Sequence, residues 1–200
     1  MMFIKICGIT RAEDAQAAVE CGASAVGFVF WPESPRYVEP DRARAIIATL
    51  PSSVAAVGVF VNQPASHVKD IVSLAQLAVV QLHGDESPAF AAEMMRPVIK
   101  AVSVDGGRPA VADWPESVML LVDARDPVRR GGTGLRVDWP AAAALARGRR
   151  LLLAGGLTPE NVAEAIAHVR PFGIDVSSGV ERSPGVKDHG RLKALFDAMR

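Results

Sequence analysis

The chain carries no excess of either charge: 22 lysines and arginines balance 22 aspartates and glutamates over 200 residues. The two signs are interspersed, so there is no basic surface on which a nucleic acid would release counterions, and no nucleic-acid partner is expected. Long hydrophobic runs are missing too. Nowhere do about 18 apolar residues follow one another, as a membrane-spanning helix requires. Residues 1–10 form a short apolar run broken by Lys5, not a basic segment leading into a long apolar one. A soluble, unsecreted, cytoplasmic protein with no membrane partner is expected. Cysteine is scarce, with only Cys7 and Cys21. The segment between them reads as one helix, which would hold them roughly 15–20 Å apart, whereas bridged cysteines need Cα atoms about 4.4–6.8 Å apart. Two free thiols suit a reducing compartment. Cysteines, histidines and acids also lack the close spacing of a zinc site, so no metal is expected.

With 200 residues, half of them hydrophobic, the chain is long enough for one substantial core and at the low end for two, so residues 1–200 are expected to form a single domain. Short β-branched apolar runs alternate with longer segments rich in Ala, Leu and charge at helical spacing. Eight strands are predicted, at 3–7, 25–30, 56–61, 78–82, 98–102, 119–122, 151–154 and 173–176. Helices are predicted to follow each, beginning near Arg11, Pro40, Ala65, Ser87, Arg108, Trp139, Pro159 and His189, with the fifth weakened by Gly106, Gly107 and Pro109. Ser87-Pro88 and Thr158-Pro159 each read as an N-cap followed by proline at the first helical position. Continuous apolar strands in strict alternation with helices predict a parallel sheet covered by helices. Eight such units favour an α/β architecture closed into a (β/α)8 TIM barrel. An open flavodoxin-like sheet would use about five strands and leave three units over.

In a barrel of this kind the reactive groups stand at the carboxyl ends of the strands. The first strand ends at Cys7, a base or nucleophile if its thiolate is stabilised, or otherwise a small buried hydrophobe. Cys21 falls at the far end of the first helix and reads as structural. After the second strand, prolines 32 and 35 stiffen a loop that offers Arg36, either as an anchor for a carboxylate or phosphate or as a solvated surface residue. The fourth strand ends at His83, whereas His67, His168 and His189 lie in or beside helices and read as structural or solvent-facing. The sixth strand ends at Asp123, where apolar surroundings would disfavour the charged carboxylate, as suits a general acid, the alternative being a structural cap. Two glycine-bearing loops follow the seventh and eighth strands, Gly155-Gly156 and Asp175 to Glu181 with Ser178 and Gly179. Their backbone N–H groups are placed to cradle a phosphate. Gly131-Gly132-Thr133-Gly134 reads as a flap over the site.

Together, Lys5-Ile6-Cys7-Gly8-Ile9-Thr10, Gly27-Phe28-Val29-Phe30, Ser34-Pro35-Arg36-Tyr37, Gly58-Val59-Phe60-Val61-Asn62, Val80-Gln81-Leu82-His83-Gly84, Gly131-Gly132-Thr133-Gly134, Ala154-Gly155-Gly156-Leu157 and Asp175-Val176-Ser177-Ser178-Gly179-Val180-Glu181 resemble the phosphoribosylanthranilate isomerases, in family order over essentially the whole chain. The resemblance implies a barrel enzyme of tryptophan biosynthesis that performs the Amadori rearrangement of a phosphoribosyl amine, without cofactor or metal. It implies Cys7 as general base, Asp123 as general acid, Arg36 as holder of the anthranilate carboxylate, and the loops with Gly155, Gly156, Asp175, Ser178 and Gly179 as substrate and phosphate site. His83 takes a supporting role. Leu135 and Val137 depart from the lysine and phenylalanine frequent there, which bears on closure of the flap. The chemistry needs one acid and one base, so the two environments are expected to move Asp123 and Cys7 toward neutrality from opposite sides. Competing readings are the related barrel isomerase of histidine biosynthesis, which uses paired aspartates on a substrate with two phosphates, and a non-catalytic phosphosugar-binding barrel. A monomer or homodimer is expected.

Overall fold

A computed structural model describes residues 2–104, 111–124 and 137–200. The predicted fifth helix near Arg108, with Gly106, Gly107 and Pro109, and the flap Gly131-Gly132-Thr133-Gly134 with Leu135 lie outside the described residues. Eight parallel strands, β1 (Phe3–Cys7), β2 (Ala25–Val29), β3 (Ala55–Phe60), β4 (Val79–Leu82), β5 (Val98–Val102), β6 (Met119–Val122), β7 (Leu151–Leu153) and β8 (Gly173–Val176), close into a barrel in chain order. Closure is made by β1 against β8, with Phe3 opposite Gly173 and Lys5 opposite Asp175. The expected (β/α)8 architecture is present, each strand within one residue of its predicted bounds.

The strands hold because both faces are buried and mostly apolar. Outward residues such as Ile6, Phe28, Phe60, Leu82, Val122 and Ile174 join the layer between sheet and helices. Inward residues Ala25, Val57, Ile99, Leu121 and Leu152 fill the barrel interior as a second cluster. A third inward cluster of Cys7, Val29 and Val59, with Trp31 packed against it, lies at the carboxyl ends. This parity of two along each strand fixes which side chains can reach the mouth of the barrel.

The helices are α1 (Ala12–Cys21), α2 (Pro40–Ile47), α3 (Ala65–Ala75), α4 (Pro88–Ala92), α5 (Trp139–Ala146), α6 (Val162–Val169) and α7 (His189–Asp197). Ser87 caps α4 as expected, its Oγ accepting from Phe90 N at 3.2 Å. Asp138 and Asp188 do the same for α5 and α7. One prediction is corrected: Thr158-Pro159 does not start a helix. Asn161 Oδ1 accepts from Thr158 N at 2.9 Å while its amide donates to Gly156 O at 2.9 Å. That side chain fixes a separate turn over 158–161, and α6 begins only at Val162. Beyond β8, a single 3-10 turn over Ser178–Val180 leads into a hairpin of β9 (Glu181–Ser183) and β10 (Val186–Lys187). Asp14 on α1 ties this end of the chain down, accepting from Lys187 N at 3.0 Å and pairing with His189 Nε2 at 2.8 Å. His67 and His168 are exposed, so none of these three histidines reaches the barrel mouth. Among the described residues no helix is long and apolar enough to cross a membrane.

Candidate active site

A cavity of about 570 Å³ opens at the carboxyl ends of the strands, and Cys7, Trp31, Arg36, His83, Asp123, Asp175 and the loops with Gly155, Gly156, Ser178 and Gly179 all line it. Every site residue predicted from sequence therefore faces one space. Parity explains the convergence, because Cys7, Val29, Val59, His83 and Asp123 take the same inward step at the ends of their strands.

Cys7 is buried, as befits an inward residue, and unbridged; Cys21 is free as well. Burial pushes the Cys7 thiol above its ordinary value, and the neighbouring Lys5 ammonium offsets this only in part. The expected downward movement toward neutrality is thus corrected, because loss of solvent around a thiolate outweighs one adjacent cation. Asp123 Oδ1 accepts from Ala124 N at 2.8 Å, and Oδ2 stands 3.4 Å from His83 Nε2. His83 Nδ1 lies 3.0 Å from Gln81 Nε2. With the amide donating to Nδ1, the neutral imidazole carries its proton on Nε2, facing the carboxyl. His83 thus stands beside the Asp123 carboxyl with its ring held by Gln81.

Arg36 is neither solvated nor loose. Its Nη2 lies 2.7 Å and its Nε 3.0 Å from the carboxylate of Glu181, a fork-on-carboxylate arrangement that orients the guanidinium plane. Glu181 also receives Lys187 Nζ at 2.9 Å. Sequence reasoning quoted Glu181 only as part of a motif and gave Lys187 no role. Burial alone would raise the Glu181 carboxyl, but the hydrogen bond from Arg36 and the Lys187 charge hold it below its ordinary value. A carboxyl more acidic when folded stabilises the fold fully above the unfolded value of 4.5, and that contribution is lost as pH falls through the folded value. Glu181→Gln is accordingly expected to flatten the acid side of a Tm-against-pH curve below pH 4.5. An acid side as steep as that of the parent chain would show that this carboxylate contributes nothing there.

Where a phosphate is expected, the loops after β7 and β8 press together. A Cβ on Gly179 would stand 1.8 Å from Leu157 O, so only glycine permits the approach. Gly155 adopts φ +77°, and a Cβ there would meet Val137 and Ala124 N. Val137, one of the two departures from the family pattern, is thus a buried wall of this loop. Asp175 lies lower than predicted. It sits within β8 and accepts from Lys5 Nζ at 2.8 Å, so its carboxylate faces a cation inside the barrel as well as the cavity. Lys5 is the functional candidate that the sequence reading passed over. A charged residue between Phe3 and Cys7, on the inward parity, was the available signal. Among the described residues no cluster of histidines, cysteines and acids could hold a metal ion.

The model of the family described as N-(5'phosphoribosyl)anthranilate (PRA) isomerase matches residues 4–198. The chain belongs to this isomerase family. An N-(5'-phosphoribosyl)anthranilate isomerase of Citrifermentans bemidjiense is 50% identical over 198 residues, covering 98% of this chain and 96% of the relative. The crystal structure of phosphoribosyl anthranilate isomerase from Thermus thermophilus superposes with a TM-score of 0.91 at 46% identity, covering 98% of each chain. A further isomerase structure, in complex with reduced 1-(o-carboxyphenylamino)-1-deoxyribulose 5-phosphate, gives a TM-score of 0.88 at 43% identity, covering 100% of this chain and 98% of that one. The barrel is therefore shared with isomerases that differ from this chain at half or more of their positions.

Proposed function

We propose that this isomerase converts N-(5′-phosphoribosyl)anthranilate to 1-(2-carboxyphenylamino)-1-deoxyribulose 5-phosphate with Cys7 as base and Asp123 as acid. The observation that supports these roles is a thiol and a carboxyl facing one cavity that has an arginine on one side and a glycine-rich anion cradle on another. Asp123 gives its proton to the furanose ring oxygen, and the C1–O bond breaks to leave a protonated Schiff base at C1. The Cys7 thiolate then takes the proton from C2, and the C2–H electron pair forms the C1–C2 double bond of an enolamine, which tautomerises to the ketone. The iminium charge beside C2 makes that proton more acidic. It also favours the thiolate across a short, desolvated gap, so the thiol gives up its proton more readily once the ring has opened. Arg36 holds the anthranilate carboxylate and the loops after β7 and β8 hold the phosphate, so the two ends are gripped while the centre reacts. No step calls for a cofactor or metal. The reading takes residues 1–200 as one cytoplasmic barrel domain, acting as a monomer or homodimer.

Phosphoribosylanthranilate generated in situ and followed by loss of its fluorescence is the direct test. Folded chain that binds the phosphosugar without consuming it would replace the enzyme reading by a binding one. Arg36→Ala is expected to raise KM at least ~10-fold with kcat nearly unchanged, because it removes binding shared by ground and transition states. Lys187 still partners Glu181 in that variant, so the fold should survive. An unchanged KM would remove Arg36 from the anchor role.

A further inference from the structure

The Lys5 ammonium lies inside the barrel, one inward position below Cys7 on the same strand, with no solvent exposure. The steps above give it no part. Its Nζ donates to Asp175 Oδ1 at 2.8 Å, and its charge acts on the neighbouring Cys7. Gly27, opposite Cys7 on β2, leaves the room for this. A Cβ there would stand 2.8 Å from Cys7 Sγ and 3.0 Å from Lys5 Cε. Packing gives no reason for a cation at this depth. The surrounding interior is Ala25, Val57, Leu121 and Leu152, and apolar residues of similar volume commonly replace a buried ion pair without loss of stability. What the ammonium has, and an apolar residue would lack, is a thiol within reach.

We propose that Lys5 is a positioning residue for Cys7: its ammonium, anchored by Asp175, orients the sulfur toward the cavity and stabilises the thiolate that accepts the C2 proton. The proposal rests on Cys7 being the base. Lys5 stays protonated throughout; the proton that Cys7 first releases leaves through the cavity to water, and the proton that Cys7 gains comes from C2. Three charged groups act on the sulfur: Lys5 from its own strand, Asp175 from β8 and Lys187 from β10, of which Asp175 opposes the thiolate and the two lysines favour it. Of these the Lys5 charge acts more strongly on the sulfur than the Asp175 charge.

The test reads thiolate without substrate, by the rate of iodoacetamide alkylation at Cys7 in a Cys21→Ser background, located by mass spectrometry. Lys5→Met is expected to slow alkylation at a fixed pH on the rising limb by about tenfold or more, equivalent to about one pH unit. The rising limb of kcat/KM should move up in pH by the same amount. Because Lys5→Met strands the Asp175 carboxylate, the Lys5→Met/Asp175→Leu variant, which removes both charges, is measured beside it and is expected to slow alkylation in the same direction. A folded double variant alkylated at the parent rate overturns the role of Lys5. Near-parental turnover by Cys7→Ser would instead sink the base assignment, and the two failures are told apart because alkylation needs no turnover.

Discussion

Asp123→Asn should lower kcat by about 10²–10⁴-fold while leaving KM within a few-fold of its parent value. The substitution keeps the shape of the side chain, and its amide oxygen can still accept from Ala124 N as the carboxyl does. It removes the transferable proton. Without that proton the ring C–O bond must break against an alkoxide leaving group, so ring opening becomes the slow step. The measurement that separates this from a general loss of activity is the isotope effect with deuterium at C2. It should vanish in Asp123→Asn, since C2–H cleavage now follows the slow step. A fall in kcat of only a few-fold, or a persistent C2 isotope effect, would take the acid role away from Asp123.

Cys7→Ser should lower kcat by a similar ~10²–10⁴-fold, with the opposite isotope signature. The hydroxyl occupies nearly the volume of the thiol and leaves the packing against Val29 and Val59 in place. It does not ionise in the range where the thiol does, so abstraction from C2 becomes limiting and the deuterium effect should rise. Ring opening by Asp123 is untouched, and the open-chain Schiff base should accumulate in rapid mixing. If the variant keeps a parental kcat, or loses activity with no rise in the isotope effect, Cys7 is not the base.

The eight strands were legible because a parallel strand buried on both faces reads as a mostly apolar run, and none of the eight was displaced by more than one residue. Cys7, His83 and Asp123 were legible from position alone, since polar residues that directly follow such runs must lie at the barrel rim. The start of α6 was not, because it depends on the side chain of Asn161 bonding back to Thr158 and Gly156, a contact that the Thr-Pro signal does not contain. Nor were the partners of the site residues. Lys5 meets Asp175 across 170 positions and Arg36 meets Glu181 across 145, distances over which local periodicity carries no information. The environment of the Cys7 thiol was misread for the same reason: position gave the residue, but the degree of burial around it comes from all eight strands.

These long-range pairs also set an order of assembly. Lys5, Asp14 and Arg36 lie in the first fifth of the chain, while Asp175, Glu181, Lys187 and His189 lie in the last. Contacts between such distant segments require closure of nearly the whole chain as a loop, and they form late in folding. A nascent chain on the ribosome can pair its early strands while still carrying exposed apolar edges. It gains a competent site only when the final strand, turn and hairpin emerge and β8 seals against β1.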